Sequence, residues 1–170
     1  MKEMETIFVD RFSIDSYQFV VGRIANGVCY IGIEDVAATE LAKFFKGWPL
    51  QAVKGSSEDV KRELTAYFNG TLEKFNFPVA LIGTDFQKKV WQKVKEVPYG
   101  TTTSYSQIAQ QVDNEKGVRA VANAVGRNPL MIVVACHRII GKNGRLTGYR
   151  GGIPMKVALL EKEGISEFAY

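Results

Sequence analysis

Histidine and cysteine are scarce in this chain of 170 residues, which contains one histidine (His137) and two cysteines (Cys29 and Cys136). Without a Cys-x-x-Cys pair or a second histidine, the sequence offers no convincing zinc site. Two cysteines make a disulfide possible, but they do not indicate the framework of a small secreted domain. Because Cys29 lies in a strand-like stretch, we expect it to be a small buried hydrophobic residue.

Long hydrophobic runs are also absent. No apolar stretch approaches the roughly 20 residues that a membrane span requires, and the N-terminal residues show no signal-peptide pattern. We therefore expect a soluble, intracellular protein. Apolar residues make up 46% of the chain, which is enough for the core of one large domain or two small ones.

Positive charge is concentrated in the second half. Residues 1–83 contain 9 basic and 11 acidic residues, whereas residues 84–170 contain 13 basic and 7 acidic residues. Between Glu115 and Arg150, seven basic residues accompany a single acidic one. Such a segment suits a phosphate backbone, although an ordinary solvated basic surface has the same composition.

The rarest residues of the chain are adjacent. Cys136 and His137 follow the apolar run 131–134 and precede Arg138. We expect that run to be a strand that delivers the thiol to a polar turn. A thiolate is the reactive form of cysteine, and a neighbouring imidazole or positive charge lowers the thiol pKa. The sequence thus indicates an activated nucleophile, although chance adjacency would produce the same pair.

The first half is predicted to contain strands followed by helices. Strand patterns at 17–24 and 28–33 flank Asn26-Gly27, a strong hairpin signal. Helices are predicted at 39–46 and 57–68. Residues 72–82, interrupted by a proline, are interpreted as a connector or an edge strand.

The second half is predicted to be mostly helical. Thr84 is a good N-cap for one helix, Ser104 for a second, and Asp113-Asn114 for a third that reaches Gly126. The two short helices that begin at Ser104 and Glu115 match a helix-turn-helix pattern. A final helix begins near Pro154 and ends at Gly164, where the helical pattern alone would leave Glu163 in solvent.

The second short helix is amphipathic. Val118, Val121 and Val125 recur at helical spacing and are expected to be buried. The opposite face is polar and carries few bulky side chains: Arg119, Ala120, Asn123 and Arg127. That face could approach DNA closely, but an ordinary amphipathic helix would look the same.

Several short motifs follow one another along residues 84–164. They are TDFQKKVW (84–91), PYGTTTSY (98–105), VRAVA (118–122), RNP (127–129), ACHRIIG (135–141), LTGYRGG (146–152) and LLEKEG (159–164). In this order and spacing they resemble the DNA-binding and active-site domain of the O6-alkylguanine-DNA alkyltransferases, also called methylated-DNA–protein-cysteine methyltransferases. Residues 1–83 match that family only in length and in a strand-then-helix outline.

The resemblance implies an α/β (α+β) fold with two domains. Residues 1–83 would form a ribonuclease-H-like domain with an antiparallel sheet and helices. Residues 84–170 would form a mostly helical DNA-binding and alkyl-acceptor domain with a helix-turn-helix.

The resemblance also implies DNA repair by direct reversal. The chain would transfer the alkyl group of O6-alkylguanine in double-stranded DNA to itself, once per chain, with O4-alkylthymine open as a second substrate. The damaged base would be flipped out through the minor groove. No metal, diffusible cofactor or membrane is implied, and we expect a monomer in the cytoplasm, or in the nucleus of a eukaryote.

The family's catalytic residues can be placed one by one. Cys136 would be the nucleophile and alkyl acceptor, and His137 would take its proton, through a water molecule. Glu163 would orient His137, as the carboxylate does in triad-like sites. Asn128 would brace the turn before the cysteine, and Tyr105 would assist base flipping and donate toward guanine N3.

Arg119 would act as an arginine finger that fills the gap in the base stack. The DNA-contacting residues implied are Arg119, Ala120, Asn123, Ala124, Arg127, Tyr105 and Thr103. The residues implied around the flipped base are Val134, Tyr149, Arg150 and Gly151.

Three positions depart from the family pattern. Ala135 stands where proline is usual, which we expect to loosen or re-aim the cysteine turn. Ala122-Asn123 replaces a glycine followed by a small or polar residue. Arg150 replaces a small or hydroxyl residue, which puts the width of the alkyl pocket in question.

Two other functions compete with alkyl transfer. A cysteine hydrolase could use Cys136, His137 and a carboxylate, but direct imidazole–thiol pairing normally joins residues distant in sequence. A non-reactive binder of alkylated DNA would lack the reactive cysteine, which this chain retains.

Overall fold

Three consecutive antiparallel strands begin the part of the chain that the computed structural model describes, residues 4–169. They are β1 (Ile7–Ile14), β2 (Tyr17–Ile24) and β3 (Gly27–Ile33). A fourth strand, β4 (Leu50–Ala52), pairs in parallel with β1, so the sheet order is β3-β2-β1-β4. The hairpin predicted at Asn26-Gly27 is confirmed, with Gly27 at a φ of 140° that favours glycine.

Two helices pack on this sheet. Helix α1 (Glu34–Phe44) contacts β2 and β3, and α2 (Glu58–Phe68) contacts β1. The helix predicted from residue 39 therefore begins five residues earlier. Glu34 and Asp35 explain the difference, because acidic side chains in a first helical turn interact favourably with its unpaired N–H groups.

The segment 72–82 is a connector with one isolated bridge, between Val79 and Val28. The Val28 N–H donates to Pro78 O at 2.9 Å, and the Ala80 N–H donates to Val28 O at 2.8 Å. Pro78 has no N–H, so it cannot donate to a continuous ladder. The segment therefore joins the sheet edge at a single point.

The chain divides into two compact units after Ile82, and the second unit is mostly helical. Its elements are α3 (Asp85–Lys95), β5 (Thr103–Ser104), α4 (Tyr105–Gln111), α5 (Val118–Gly126), β6 (Ile139–Ile140) and α6 (Ile153–Lys162). The short strands β5 and β6 pair in parallel. The predicted fold class, with a sheet followed by helices, is confirmed.

Local capping explains where the helices of the second unit begin. Thr84 and Ser104 were predicted as N-caps, and in the structure each forms a capping box, with Gln87 and Gln107 respectively. The prediction of a cap at Asp113-Asn114 was wrong. A 3₁₀ turn over Glu115–Gly117 comes first, α5 begins at Val118, and no side chain caps it.

In the described residues, no helix is both long enough and apolar enough to cross a membrane.

Candidate functional site

The segment before the cysteine is buried but is not a strand, contrary to prediction. Residues 131–134 form successive turns in which the Val133 N–H donates to Met131 O at 2.8 Å and the Val134 N–H donates to Leu130 O at 3.0 Å. Ile132 has a φ of 72°, which is rare for a β-branched residue and stores strain. The continuous apolar run therefore indicates correctly that this segment is buried, but it does not indicate an extended backbone.

Asn128 holds these turns together. Its side chain is fully buried, and its Oδ1 accepts the Leu130 N–H at 2.8 Å. Its Nδ2 donates to Val134 O at 2.7 Å and lies 3.3 Å from the Sγ of Cys136. One amide thus satisfies buried backbone groups on both sides of the turn and also reaches the thiol.

Cys136 begins a single 3₁₀ turn that continues through His137 and Arg138. The residue is only 6% exposed, and this burial raises the pKa of its thiol. The positive charges of Arg150 and Lys156 and the hydrogen bond from Asn128 act in the opposite direction. The resting group is therefore a thiol, so a nucleophilic attack needs a nearby base.

A buried chain of polar side chains begins at the residue that follows Cys136. The Nε2 of His137 lies 2.7 Å from Oε2 of Glu163. Arg138 donates to the same carboxylate through Nε, at 2.8 Å, and through Nη2, at 3.0 Å. This two-point pairing favours the ionised carboxylate. An ionised carboxylate only accepts hydrogen bonds, so Nε2 carries the proton and Nδ1 is the basic nitrogen.

Burial also sets the charge of the imidazole. Desolvation lowers the pKa of His137, while the hydrogen bond and the negative charge of Glu163 raise it. His137 therefore rests neutral at pH 7 and can accept a proton. Its Nδ1 makes no hydrogen bond to any residue in the range 4–169. Glu163 is in position to stabilise the imidazolium that would form.

Glu163 is buried, although the helical pattern alone placed it in solvent. It caps the C-terminal end of α6 and is only 6% exposed. Gly164 follows at a φ of 82°, which ends the helix. Besides its two partners on the cysteine turn, Glu163 accepts the Gly100 N–H at 3.1 Å. Only the family resemblance placed this carboxylate beside His137.

A pocket of about 330 Å³ opens beside Cys136. The residues that line it are Tyr105, Ala122, Val125, Gly126, Cys136, Gly148, Tyr149 and Arg150. Tyr149 and Arg150 were expected around the flipped base, and Tyr105 was expected to donate toward guanine N3. A pocket of this volume is within the usual range for a small ligand.

Val134 and Gly151 were also expected around the pocket, but neither lines it. Val134 is fully buried, and its carbonyl is occupied by the Asn128 amide. Gly151 packs against α6, where an added Cβ would lie 2.4 Å from the sulfur of Met155.

Tyr105 connects the pocket to a buried lysine that sequence reasoning missed. Its hydroxyl lies 2.7 Å from Oγ1 of Thr147, and Lys156 Nζ donates to that Oγ1 at 3.3 Å. Lys156 is fully buried and also donates to Ile139 O at 2.7 Å. The sequence signal that could have indicated its burial is its position in α6, directly after Met155 and three residues before Leu159, both of which are buried.

Helix α5 presents the predicted polar surface with two corrections. Arg119, Ala120 and Asn123 are exposed, and Arg127 is half-buried. Ala124, expected on the DNA side, is only 3% exposed, since its carbonyl accepts the Trp91 Nε1–H of α3 at 2.8 Å.

The second correction concerns the buried stripe of α5. Val121 and Val125 are buried, whereas Val118 at the first turn is half-buried.

Thr103, in β5, is half-exposed and donates to Oε1 of Gln107 at 2.9 Å. Its side chain therefore also supports the start of α4.

Ala135 retains the backbone expected of a proline. Its φ is −77°, within the range that a pyrrolidine ring imposes. Its N–H makes no hydrogen bond in the described part of the chain. The turn therefore keeps a proline-compatible φ at Ala135 without the pyrrolidine ring.

Across residues 4–169, no three His, Cys, Asp or Glu side chains are grouped so that they could hold a metal ion.

The second unit matches a family model. Residues 85–165 match the model described as "6-O-methylguanine DNA methyltransferase, DNA binding domain". The chain is 40% identical over 162 residues to the inducible methylated-DNA–protein-cysteine methyltransferase of Bacillus subtilis, covering 93% of this chain and 90% of that protein. A relative of the same name from Methanosarcina acetivorans is 50% identical over 106 residues, covering 62% of this chain and 68% of that protein.

Solved structures of similar proteins extend the match to most of the chain. The O6-methylguanine methyltransferase of Mycobacterium tuberculosis matches with a TM-score of 0.77, and OGT of the same organism, solved in complex with DNA, with a TM-score of 0.80, each at 34% identity and covering 92% of both chains. The O6-methylguanine-DNA methyltransferase of Pyrococcus kodakaraensis matches with a TM-score of 0.71 at 27% identity, covering 94% of this chain and 99% of that one. The chain belongs to the methylated-DNA–protein-cysteine methyltransferase family.

Proposed function

We propose that this protein repairs O6-alkylguanine in double-stranded DNA by transferring the alkyl group to the sulfur of Cys136. The observation that carries the proposal is the position of Cys136, which lines a pocket and directly precedes the buried His137–Glu163–Arg138 chain. A thiol with a raised pKa needs a base, and the adjacent imidazole is neutral and supported by a carboxylate.

The reaction would proceed by proton removal followed by displacement. The thiol proton passes to Nδ1 of His137 through a water molecule, and Glu163 stabilises the resulting imidazolium. The Sγ then bonds to the alkyl carbon, the carbon–O6 bond breaks, and its electron pair stays on the guanine. Because a thioether does not hydrolyse under cellular conditions, each chain reacts once.

Access to the alkyl group requires base flipping, because the guanine is stacked inside the duplex. Exposed Arg119 on α5 would enter the base stack and occupy the gap that the flipped base leaves. Ala120 and Asn123 would allow the helix to lie close to the minor groove, and Arg127 and Thr103 would contact the DNA nearby. Unstacking costs a few kcal/mol, less for a weakened pair such as one containing an alkylated base.

The pocket would hold the flipped base between named groups. Tyr105 and Tyr149 supply aromatic surface, and Arg150 adds positive charge near Cys136. This charge would favour the thiolate.

All of these groups come from residues 84–170 of one chain, which supports a monomer that needs no metal or diffusible cofactor. We propose that it acts in the cytoplasm.

The test is to locate the transferred group. The protein is incubated with a duplex containing one O6-methylguanine, and peptides are then mapped by mass spectrometry. We expect one methyl group, on the peptide of Cys136. Cys136→Ser should abolish it, and Cys29→Ser, in the first unit, should leave it unchanged. Unmodified protein with unchanged DNA would overturn the proposal. Repeated turnover of an ester or peptide would favour a cysteine hydrolase.

A further inference from the structure

One wall of the pocket beside Cys136 is positively charged. Among the described residues that line the pocket, Arg150 is the one that carries a permanent charge, and none is acidic. Arg150 is half-buried. Burial raises the pKa of Cys136, and the charge of Arg150 is the strongest of the influences that lower it. The guanidinium therefore lies within electrostatic reach of the sulfur.

A second positive charge acts on the same sulfur. Lys156 is fully buried, and its charge also lowers the pKa of Cys136. Burial lowers the pKa of Lys156 to about 8, so the ammonium group is still mostly protonated at pH 7. The buried carboxylate of this site, Glu163, is already engaged by His137 and Arg138. A Cys136 thiolate offsets only one of the two positive charges, so the three groups together remain positive.

The walls of the pocket also leave space for more than a methyl group. Ala122, Gly126 and Gly148 line it with little or no side chain. An added Cβ at Gly126 or Gly148 would meet no atom of the described residues within 4 Å, apart from the adjoining backbone. Arg150 replaces a smaller residue of the family pattern, yet these open walls and the volume of about 330 Å³ show that it does not close the pocket.

An alkyl group with its own negative charge needs such surroundings. A carboxylate on the reacting carbon would approach the Cys136 thiolate, and like charges repel one another. A guanidinium binds a carboxylate through two parallel N–H bonds and offsets that repulsion. We propose that Arg150 is a specificity-determining residue that enables Cys136 to accept O6-alkyl groups ending in a carboxylate, of which carboxymethyl is the smallest. The inference rests on the proposed alkyl transfer to Cys136.

The transfer of a carboxymethyl group balances without a further reagent. The thiol proton passes to solvent through His137. The Sγ of Cys136 bonds to the methylene carbon, the carbon–O6 bond breaks, and its electron pair stays on the guanine, which takes up one proton from solvent. The carboxylate keeps its charge throughout, so its attraction to Arg150 acts both on the bound substrate and on the thioether product.

The charge selection is first measured without DNA. Iodoacetate and iodoacetamide have nearly the same shape, but only iodoacetate is negatively charged at pH 7. We expect the ratio of their rate constants, iodoacetate over iodoacetamide, to be about 10-fold higher at Cys136 than at a free neutral thiol, N-acetylcysteinamide. That factor corresponds to about 1.4 kcal/mol, the difference between typical hydrogen bonds to charged and to neutral groups. A Cys29→Ser background leaves Cys136 as the single cysteine, and this comparison requires no change at Arg150.

Variants then assign the selection to Arg150. Arg150→Gln should lower the ratio at Cys136 about 10-fold, Arg150→Lys should keep most of it, and Arg150→Glu should lower it further. Arg145→Gln is the matched control and should keep the wild-type ratio, since Arg145 is an exposed cation in the same loop that does not line the pocket. Because both reagents react with the same thiolate, a change in the pKa of Cys136 cancels from the ratio.

The same comparison is then made on DNA. Duplexes that contain one O6-carboxymethylguanine or one O6-carbamoylmethylguanine differ in that charge, and an O6-methylguanine duplex shows whether each variant still transfers. In single-turnover assays, Arg150→Gln should lower the ratio of the carboxymethyl to the carbamoylmethyl rate constant about 10-fold. Peptide mapping should find the carboxymethyl group on Cys136.

The possible failures are distinguishable. If wild-type protein transfers no group from DNA to Cys136, not even methyl, the proposed function fails and the inference falls with it. If wild-type protein transfers methyl but Arg150→Gln changes neither ratio, the inference about Arg150 alone is overturned. If Arg150→Gln slows the charged and the neutral reagents by the same factor, Arg150 favours the thiolate without selecting anions, which also overturns the inference.

Discussion

Removal of the Asn128 amide should destabilise the second unit and weaken its nucleophile. In Asn128→Ala, the Leu130 N–H and the Val134 carbonyl lose partners at 2.8 and 2.7 Å. Each buried group left without a partner costs about 1–3 kcal/mol, so the variant should lose about 2–6 kcal/mol of unfolding free energy. Urea unfolding, followed by the fluorescence of Trp91 in α3, measures this loss.

Asn128→Asp separates the two roles of the amide. Aspartate keeps an oxygen for the Leu130 N–H but replaces the donor near the Cys136 sulfur with a second acceptor. In the native protein that donor lowers the pKa of Cys136, so its loss, together with a nearby negative charge, should raise the thiol pKa further. The rate of iodoacetamide labelling of Cys136, measured against pH, should therefore rise at higher pH than in wild type.

Two results would refute this reasoning about Asn128. One is a loss of less than about 0.5 kcal/mol in Asn128→Ala, which is typical of surface substitutions. The other is an Asn128→Asp profile that coincides with that of the wild type. Peptide mapping must assign the label to Cys136, and a Cys29→Ser background removes the other thiol from the measurement.

Three further outcomes are expected. Ala135→Pro should raise the unfolding free energy by about 0.4–1 kcal/mol, because Ala135 already has a proline-like φ of −77°; a loss of stability in thermal unfolding would show that the turn excludes the ring. Arg119→Ala should slow transfer from duplex DNA far more than reaction with free O6-benzylguanine, whereas equal losses would argue against base flipping. Glu163→Gln should lower the transfer rate constant at pH 7 by about 10²–10⁴, since the imidazolium of His137 loses its carboxylate; a near-wild-type rate in single-turnover assays would remove His137 as the base.

Features that depend on neighbouring residues were predictable from the sequence. Thr84 and Ser104 each have a glutamine three residues later, and both form the capping boxes that start α3 and α4. The Asn26-Gly27 hairpin has the same local origin. In each case the deciding hydrogen bonds join residues a few positions apart, so periodicity and composition contain the information.

Features that depend on partners distant in the chain were not predictable from sequence patterns. The segment 131–134 resembles a strand, yet Asn128 and the positive φ of Ile132 turn it into a buried coil. Lys156 looks like an ordinary helical lysine until Ile139 O and Thr147 are placed around it. Burial of a charged group requires a complete set of partners, and no spacing rule supplies one.

The pairing of His137 with Glu163 lies between these cases. The two residues are 26 positions apart, and helical periodicity placed Glu163 in solvent. Only the family resemblance predicted that they meet. The same resemblance failed for Ala124, whose place in α5 is decided by the Trp91 contact of this chain.

A titration of methylated DNA against a fixed amount of protein tests the central claim most directly. After complete reaction, the account predicts that the amount of guanine restored in the duplex equals the amount of protein methylated on Cys136, and that it stops rising once every chain has reacted. Restoration of more than one guanine per chain, or a methyl group on any residue other than Cys136, would contradict it.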